Sequence, residues 1–178
     1  MHVPALRYLR GACLRVTRRV LGRVWVLGWL EQVVLYYGVL AEDAASPAAR
    51  LFARFTAGSD AFRNARFKLI PSVAEGPWIV KTGVGSRPSI LGKALKQRFA
   101  RGEGYFEVDV DCNSSPAAGR IVSLVKSYAR SLVVDLAFVV EAQTHDELPE
   151  RIIGGTRLMH IDLSETQVPT YVEGEDST

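Results

Sequence analysis

The 178-residue chain has few of the residues on which many catalytic and metal-binding sites depend. It contains two cysteines and three histidines. Two cysteines are too few for a disulfide framework or a cysteine-ligated zinc site, and they suit a reducing compartment. The histidines are dispersed, and neither a nucleophile elbow nor a Cys–His signature accompanies them. The sequence therefore predicts no nucleophilic triad, no metal site and no cofactor.

The chain also lacks an uninterrupted apolar run of membrane-spanning length. Residues 20–41 come nearest, but Arg23, Glu31 and Gln32 interrupt them, and charges are costly in the middle of a bilayer. Two strands, about 24–30 and 33–41, fit this stretch better than a spanning helix. The first 23 residues lack acids and contain six arginines, as presequences do, but they contain little serine. We expect a cytoplasmic location, with peripheral membrane contact or organellar import as alternatives.

What remains is the composition of one folded domain, with 48% hydrophobic and 23% charged residues. We divide the chain into a basic N-terminal segment (1–23), a domain (24–164) and an acidic tail (165–178). We expect the tail to be frayed. Residues 104–142 give the best structural signal. Alternating apolar residues predict strands near 104–112 and 132–141. Ser115, Pro116 and apolar residues at three- and four-residue spacing predict a helix over 115–130.

Weaker signals place the other elements. Ser46 and Pro47 predict a helix that ends at Gly58. Strands are expected over 66–73, with an edge or bend at Pro71, over 78–82, at the start of the basic segment 88–101, and over 156–163. Thr144 and Glu147 match a capping box, but Pro149 is the better start for helical turns that stop at Gly154 and Gly155. The predicted fold is α+β: a curved antiparallel sheet of about six to eight strands packed on one principal helix, START-like or hot-dog-like in shape.

Three ordered blocks of sequence then identify a family. They are FRNARFKLIPSVAEGPWIVKTGVGSRPSILGKAL (62–95), GYFEVDVDCNSS (104–115) and SLVVDLAFVVEAQTHDELPERIIGGTRLMHIDL (131–163). Together they resemble the C-terminal domain of plant Enhanced Disease Resistance 2 proteins. The resemblance is less clear over 24–55 and weak before Val24, where a short arginine-rich stretch replaces a longer one.

This resemblance implies a compact or truncated relative from a plant or alga. In the larger proteins of the family the domain follows a pleckstrin-homology domain and a START lipid-binding domain, neither of which is present in this sequence. Those proteins associate with membranes and restrain defence and cell death. The family offers no catalytic or binding residues that can be carried over to this chain.

Clustered carboxylates offer the only enzymatic hypothesis. Glu107, Asp109 and Asp111 share one strand face, where they can act in acid–base chemistry or form cross-strand ion pairs with Lys81, Arg66 and Lys68. We favour ion pairs and a protein that is not an enzyme. Asp135 lies in a long apolar run, so if it is buried it requires a cationic partner, for which Arg63 and Arg66 are the candidates.

Two features favour lipid. The segment 87–101 interleaves cations with apolar residues, which suits an anionic bilayer or phosphoinositide; its alternative is a charged strand edge that prevents edge pairing. Its membrane-contact candidates are Arg87, Lys93, Lys96, Arg98, Phe99 and Arg101.

Aromatic and apolar residues predict a lipid pocket between the sheet and helix 115–130; its alternative is a filled core. The pocket candidates are Trp78, Phe106, Tyr128, Phe138 and Met159.

These observations give three hypotheses for function. The first is a non-enzymatic lipid-binding or membrane-associating module, linked by resemblance to defence or cell-death regulation. The second is a protein–protein interaction domain with a solid core and no ligand. The third is an enzyme that uses the acidic sheet face. Nucleic acid is not an expected partner, because no recognised binding motif accompanies the positive charge.

Overall fold

The structure is a computed structural model that describes residues 12–17, 24–27, 32–38 and 45–163. Within these residues, nine strands and four helices form an α+β fold, which confirms the predicted class. The strands are β1 (Ala12–Thr17), β2 (Val24–Leu27), β3 (Gln32–Gly38), β4 (Phe67–Glu75), β5 (Ser89–Ile90), β6 (Lys96–Gly102), β7 (Tyr105–Asp111), β8 (Val133–Val140) and β9 (Ile152–Met159). The helices are α1 (Pro47–Ala57), α2 (Asp60–Asn64), α3 (Trp78–Val84) and α4 (Pro116–Ser127).

The strands form two sheets, whereas the sequence predicted one. The first has the order β2-β3-β1-β7-β6 and the second β5-β4-β8-β9. Pairing is antiparallel throughout except between β1 and β3, which run parallel. The two strands predicted over 24–41 are confirmed as β2 and β3. No strand was predicted for β1, although it lies between β3 and β7 in the first sheet.

Local sequence accounts for several element boundaries. The Ser46 hydroxyl accepts a hydrogen bond from Ala49 N at 3.2 Å, and Pro47 begins α1, as predicted. Pro71 lies beyond the short β5 pairing, which reaches only Lys68 and Leu69. The pairing with β5 therefore requires no N–H from residue 71, and Pro71 loses no hydrogen bond on that side.

Two predicted elements are wrong. Residues 78–82 form α3 rather than a strand, because a short apolar run is compatible with either structure and Pro77 directly precedes a helix here. Residues 152–155 belong to β9 rather than to helical turns. Gly154 does not end a helix; it allows the Tyr37 ring from the other sheet to approach the β9 backbone, since a Cβ at Gly154 would lie 2.8 Å from that ring.

The main core is a continuous series of aromatic rings between the two sheets. Phe138 stacks on Phe67 with ring centroids 5.6 Å apart, Phe67 stacks on Phe55 at 5.7 Å, and Phe55 meets Phe106 edge-on at 5.6 Å. Phe55 comes from α1, so α1 is the helix that covers this core. The predicted principal helix, α4, lies over a smaller cluster instead.

That smaller cluster joins α3 and α4 to the second sheet. Val80 of α3 is fully buried against Leu132 and Val134, and Leu124 and Val125 of α4 pack on the same group. The apolar spacing predicted for 115–130 therefore does mark a packing face. However, none of the residues of α4 is buried.

Candidate functional site

The five pocket candidates do not share a cavity. Phe106 and Phe138 are buried in the aromatic core, where they contact other rings. Tyr128 and Met159 are exposed, and Trp78 is 76% exposed. Phe106 and Phe138 thus pack against other protein side chains, and the other three residues are exposed. The predicted lipid pocket is not formed by these residues.

Asp135 has a different partner from the two proposed. Its carboxylate, 38% exposed, accepts two hydrogen bonds at 2.7 Å from Arg157, which lies directly opposite on β9. The hydrogen bonds from Arg157 hold the pKa of Asp135 below its usual value. Arg63 instead pairs with Asp60 and donates to the last carbonyls of α1. The prediction of an ion pair is correct for Asp135, but its assignment to Arg63 or Arg66 is wrong.

Arg66 belongs to a buried ion-pair network that the sequence did not reveal. Its guanidinium donates to Glu147 at 2.8 Å, and Arg54 donates to the other carboxylate oxygen at 2.7 Å. The backbone N–H of Gln143 also donates to Glu147, which is only 3% exposed. That backbone bond, with Arg66 and Arg54, lowers the pKa of Glu147 to about 2. A second carboxylate, Glu150, accepts from Lys68 at 2.6 Å.

The basic segment predicted to contact membranes is divided between two environments. Phe99 packs in the core against Phe55 and Phe106, so it is not available for insertion into a bilayer. Lys96 and Arg98 are exposed on β6, but they lie directly opposite acidic residues of β7. The acidic strand face is thus aligned with the cations of β6, rather than with Lys81, Arg66 and Lys68. Arg87, Lys93 and Arg101 are exposed elsewhere along the segment.

An apolar surface lies instead on the two helices outside the main core. We call it the α3–α4 face. Its exposed apolar members are Trp78 and Ile79 of α3, Ile121 and Val122 of α4, and Tyr128 just beyond α4. Exposed cations on the same helices are Lys81 and Arg120. An apolar cluster of this kind on a monomer commonly marks a site of interaction.

Two close approaches place α3 beside α4 and the segment that follows it. At the C-terminal end of α3, a Cβ on Gly83 would lie 3.0 Å from the Leu124 side chain. Just before α3, Gly76 touches the side chain of Leu132, which follows α4. The end of α3 therefore lies near the last turn of α4, and the turn before α3 lies near the segment that follows α4. The two helices are in contact, and each carries exposed apolar residues.

The two segments that carry this face contain charges of one sign, although acids adjoin them. Residues 76–102 contain six cations and no acid, and residues 112–134 contain three cations and no acid. Glu75 precedes α3, and its charge acts on Arg157, whose pKa is raised chiefly by Asp135. Arg130, after α4, pairs with Asp162 at 2.7 Å. The α3–α4 face thus combines exposed apolar side chains with an excess of positive charge.

This arrangement can bind a surface, but it offers little for catalysis. It presents apolar side chains and cations, and it has neither a general base nor an enclosed pocket among the residues just named. The signal missed in the sequence was the absence of acids over residues 76–102 and 112–134. Among the residues that the structure describes, no helix is both long and apolar enough to cross a membrane.

Comparison with known proteins identifies the family. The model of the family "Protein ENHANCED DISEASE RESISTANCE 2, C-terminal" matches residues 26–162. A relative from Arabidopsis thaliana, "Protein ENHANCED DISEASE RESISTANCE 2-like", is 51% identical over 119 residues. That match covers 67% of this chain but 17% of the relative. No solved structure matches. The chain therefore belongs to the Enhanced Disease Resistance 2 C-terminal family.

Proposed function

We propose that the domain is a non-enzymatic module that attaches to anionic membrane surfaces through the α3–α4 face. The observation that carries the proposal is the exposure of Trp78, Ile79, Ile121 and Val122 on two helices whose segments contain cations and no acids. By its name, the Arabidopsis relative is connected with disease resistance. We extend that connection to this chain as part of the proposal.

Simple magnitudes support attachment to a bilayer surface. Each lysine or arginine near an anionic bilayer contributes about 1 kcal/mol, and full burial of an isoleucine side chain contributes about 1.5–3 kcal/mol. Lys81, Arg120 and the partly exposed Ile79 and Ile121 together therefore supply several kcal/mol. Trp78 and Tyr128 suit the headgroup region, because each has an apolar ring with a polar atom. We propose that the α3–α4 face enters only the headgroup region of the bilayer and that the protein core stays folded.

The test is vesicle flotation with the full chain. Vesicles of phosphatidylcholine are compared with vesicles that also contain phosphatidylserine or a phosphoinositide, at low salt. We expect binding only to the anionic vesicles, and weaker binding as salt rises. The double variant Lys81→Glu plus Arg120→Glu is expected to bind at least about tenfold more weakly, because two attractions become repulsions.

Matched variants separate this face from the basic strand edge. Lys96→Glu plus Arg98→Glu makes the same change in net charge on β6, and it should weaken binding less. Trp78→Ser should reduce binding, whereas Met159→Ser, also an exposed apolar position, should not. Equal losses for both charge variants would contradict assignment to the α3–α4 face, and an absence of binding by the unmodified chain to every anionic vesicle would contradict the proposed function.

A further inference from the structure

The described chain leaves the fold beside the C-terminal end of α4. Residues 161–163 line a shallow groove together with residues 126–131, which end α4 and follow it. Arg130 donates to Asp162 at 2.7 Å and ties the two segments together. Whatever follows Leu163 therefore starts next to the α3–α4 face.

The sequence beyond this point has a charge opposite to that face. Residues 164–178 contain four acids and neither lysine nor arginine. Apolar residues are interspersed with the acids. The acids are Glu165, Glu173, Glu175 and Asp176, and the apolar residues are Val168, Tyr171 and Val172. The segment thus offers both kinds of group that an apolar, cationic surface binds.

The length of the segment is sufficient to reach the whole face. An extended chain spans about 3.3 Å per residue, so Glu173 can lie up to about 33 Å from Leu163. Helix α4 has 12 residues and is about 18 Å long. The acids at 173–176 can therefore reach any part of α3 or α4.

We propose that residues 164–178 bind the α3–α4 face and compete there with anionic membranes. The competition rests on the proposed function, whereas the binding of the segment to the face does not. The segment acts as a tethered competitor, whose high effective concentration compensates for a weak intrinsic affinity. A lipid surface, high salt or neutralisation of its acids displaces the segment from the face. The cations and apolar side chains of the face are then free to bind a membrane.

The first test measures competition in the full chain. The variant Glu175→Gln plus Asp176→Asn is expected to bind phosphatidylserine vesicles at least about fivefold more tightly, the lower end of a typical coupling between sites. The control Glu103→Gln plus Asp146→Asn makes the same change in net charge at exposed positions of the fold. An equal gain in the control would show that net charge alone is responsible, and it would overturn the proposal.

The second test needs no membrane. A carbodiimide joins carboxylates to amines that are in contact, and the linked peptides are identified by mass spectrometry. We expect links from Glu173, Glu175 or Asp176 to Lys81 or Lys126, and fewer to Lys93 and Lys96. Links distributed evenly over all four lysines, or no links to Lys81 and Lys126, would overturn the proposal.

The two tests separate this proposal from the proposed function. If links form to Lys81 and Lys126 but no variant binds vesicles, docking of the segment is supported and the membrane function is contradicted. Vesicle binding that requires Lys81 and Arg120 but does not respond to the acids would contradict the competition instead. Both results together, links and a gain specific to the 175–176 variant, would establish the competitor.

Discussion

At the scale of the residue, Glu147 carries the most consequential charge in the described part of the chain. It lies in the loop between β8 and β9 and receives hydrogen bonds from Arg54, Arg66 and the Gln143 amide. Removal of one member of a buried pair leaves the other charge without compensation, which costs about 3–5 kcal/mol. Asp135 makes an equally short pair, but at the surface, where water and salt screen the attraction and such pairs contribute little. Similar distances therefore correspond to different energies.

This difference predicts how acid unfolds the protein. The pKa of Glu147 is about 2 in the fold against 4.5 as the reference for the unfolded chain. Its stabilising contribution is therefore complete above pH 4.5 and is lost as the pH falls from 4.5 toward 2. Glu147→Gln should lower the free energy of unfolding at pH 7 by about 3 kcal/mol and flatten its pH dependence over that range. Denaturant titrations at several pH values measure both effects, with Asp135→Asn as the control.

If Asp135→Asn lowered the free energy of unfolding at pH 7 more than Glu147→Gln does, the greater importance of Glu147 would be contradicted. The sequence predicted an ion pair for Asp135, whereas Glu147 only matched a capping box with Thr144, to which Pro149 was preferred as the start of helical turns. The reason is physical: a helix cap depends on a local spacing, whereas Arg54 and Arg66 reach Glu147 only through the tertiary fold. The spacing of Thr144 and Glu147 could not distinguish a helix cap from a buried ion pair.

At the scale of the element, α3 depends on the turn that precedes it. Gly76 has a φ of +143°, and a Cβ there would overlap the Leu132 side chain. Gly85, which ends α3, has a φ of +67° but no atom within 4 Å of its Cβ position. A residue with a Cβ would thus be strained at either position, and only at Gly76 would it also overlap a neighbour.

The two positions make a matched pair of variants. Gly85→Ala should cost about 1–3 kcal/mol, because the φ of +67° and ψ of −167° at Gly85 lie in a region open essentially to glycine alone. Gly76→Ala should cost about 1–3 kcal/mol more, because Leu132 must move and the α3–α4 cluster must repack. Thermal unfolding of both variants measures the difference. Equal costs would show that Leu132 adapts freely and that the turn contributes only its backbone strain.

Elements with a clear period were predictable, and those decided by context were not. The alternation of Phe106, Val108 and Val110 predicted β7 correctly, and Ser46 with Pro47 predicted α1. The apolar run at 78–82 was too short to distinguish helix from strand. The approach of Tyr37 to Gly154 depends on a second sheet, which no local pattern reveals.

At the scale of the whole molecule, one ring of α1 contacts both sheets. Phe55 is buried and meets Phe67 of the second sheet and Phe106 of the first. Phe55→Ala should lower the free energy of unfolding by about 3–5 kcal/mol. Phe52→Ala, on the same helix but half-buried, should cost less. Chemical denaturation compares the two variants, and a smaller loss at Phe55 would contradict the central place of its ring.

The same scale limits what sequence could say about the candidate site. The cations of 87–101 were recognised, but only the fold shows that Lys96 and Arg98 lie opposite β7 acids and that Phe99 is internal. Likewise, exposure of Trp78 depends on Val80 filling the cluster beneath α3. Residue type shows which side chains are cationic or apolar, whereas the direction in which each side chain points required the tertiary structure.

The position of β1 between β3 and β7 has a consequence for the order of folding. On its other side β1 pairs with β7, so that Ala12 lies opposite Val110. Contacts between such distant positions are slow to form, because a long loop must close first. During synthesis, β1 emerges early but gains its second neighbour only after β7 has been made. The first sheet is therefore completed late, and until then one edge of β1 is exposed to wrong pairing.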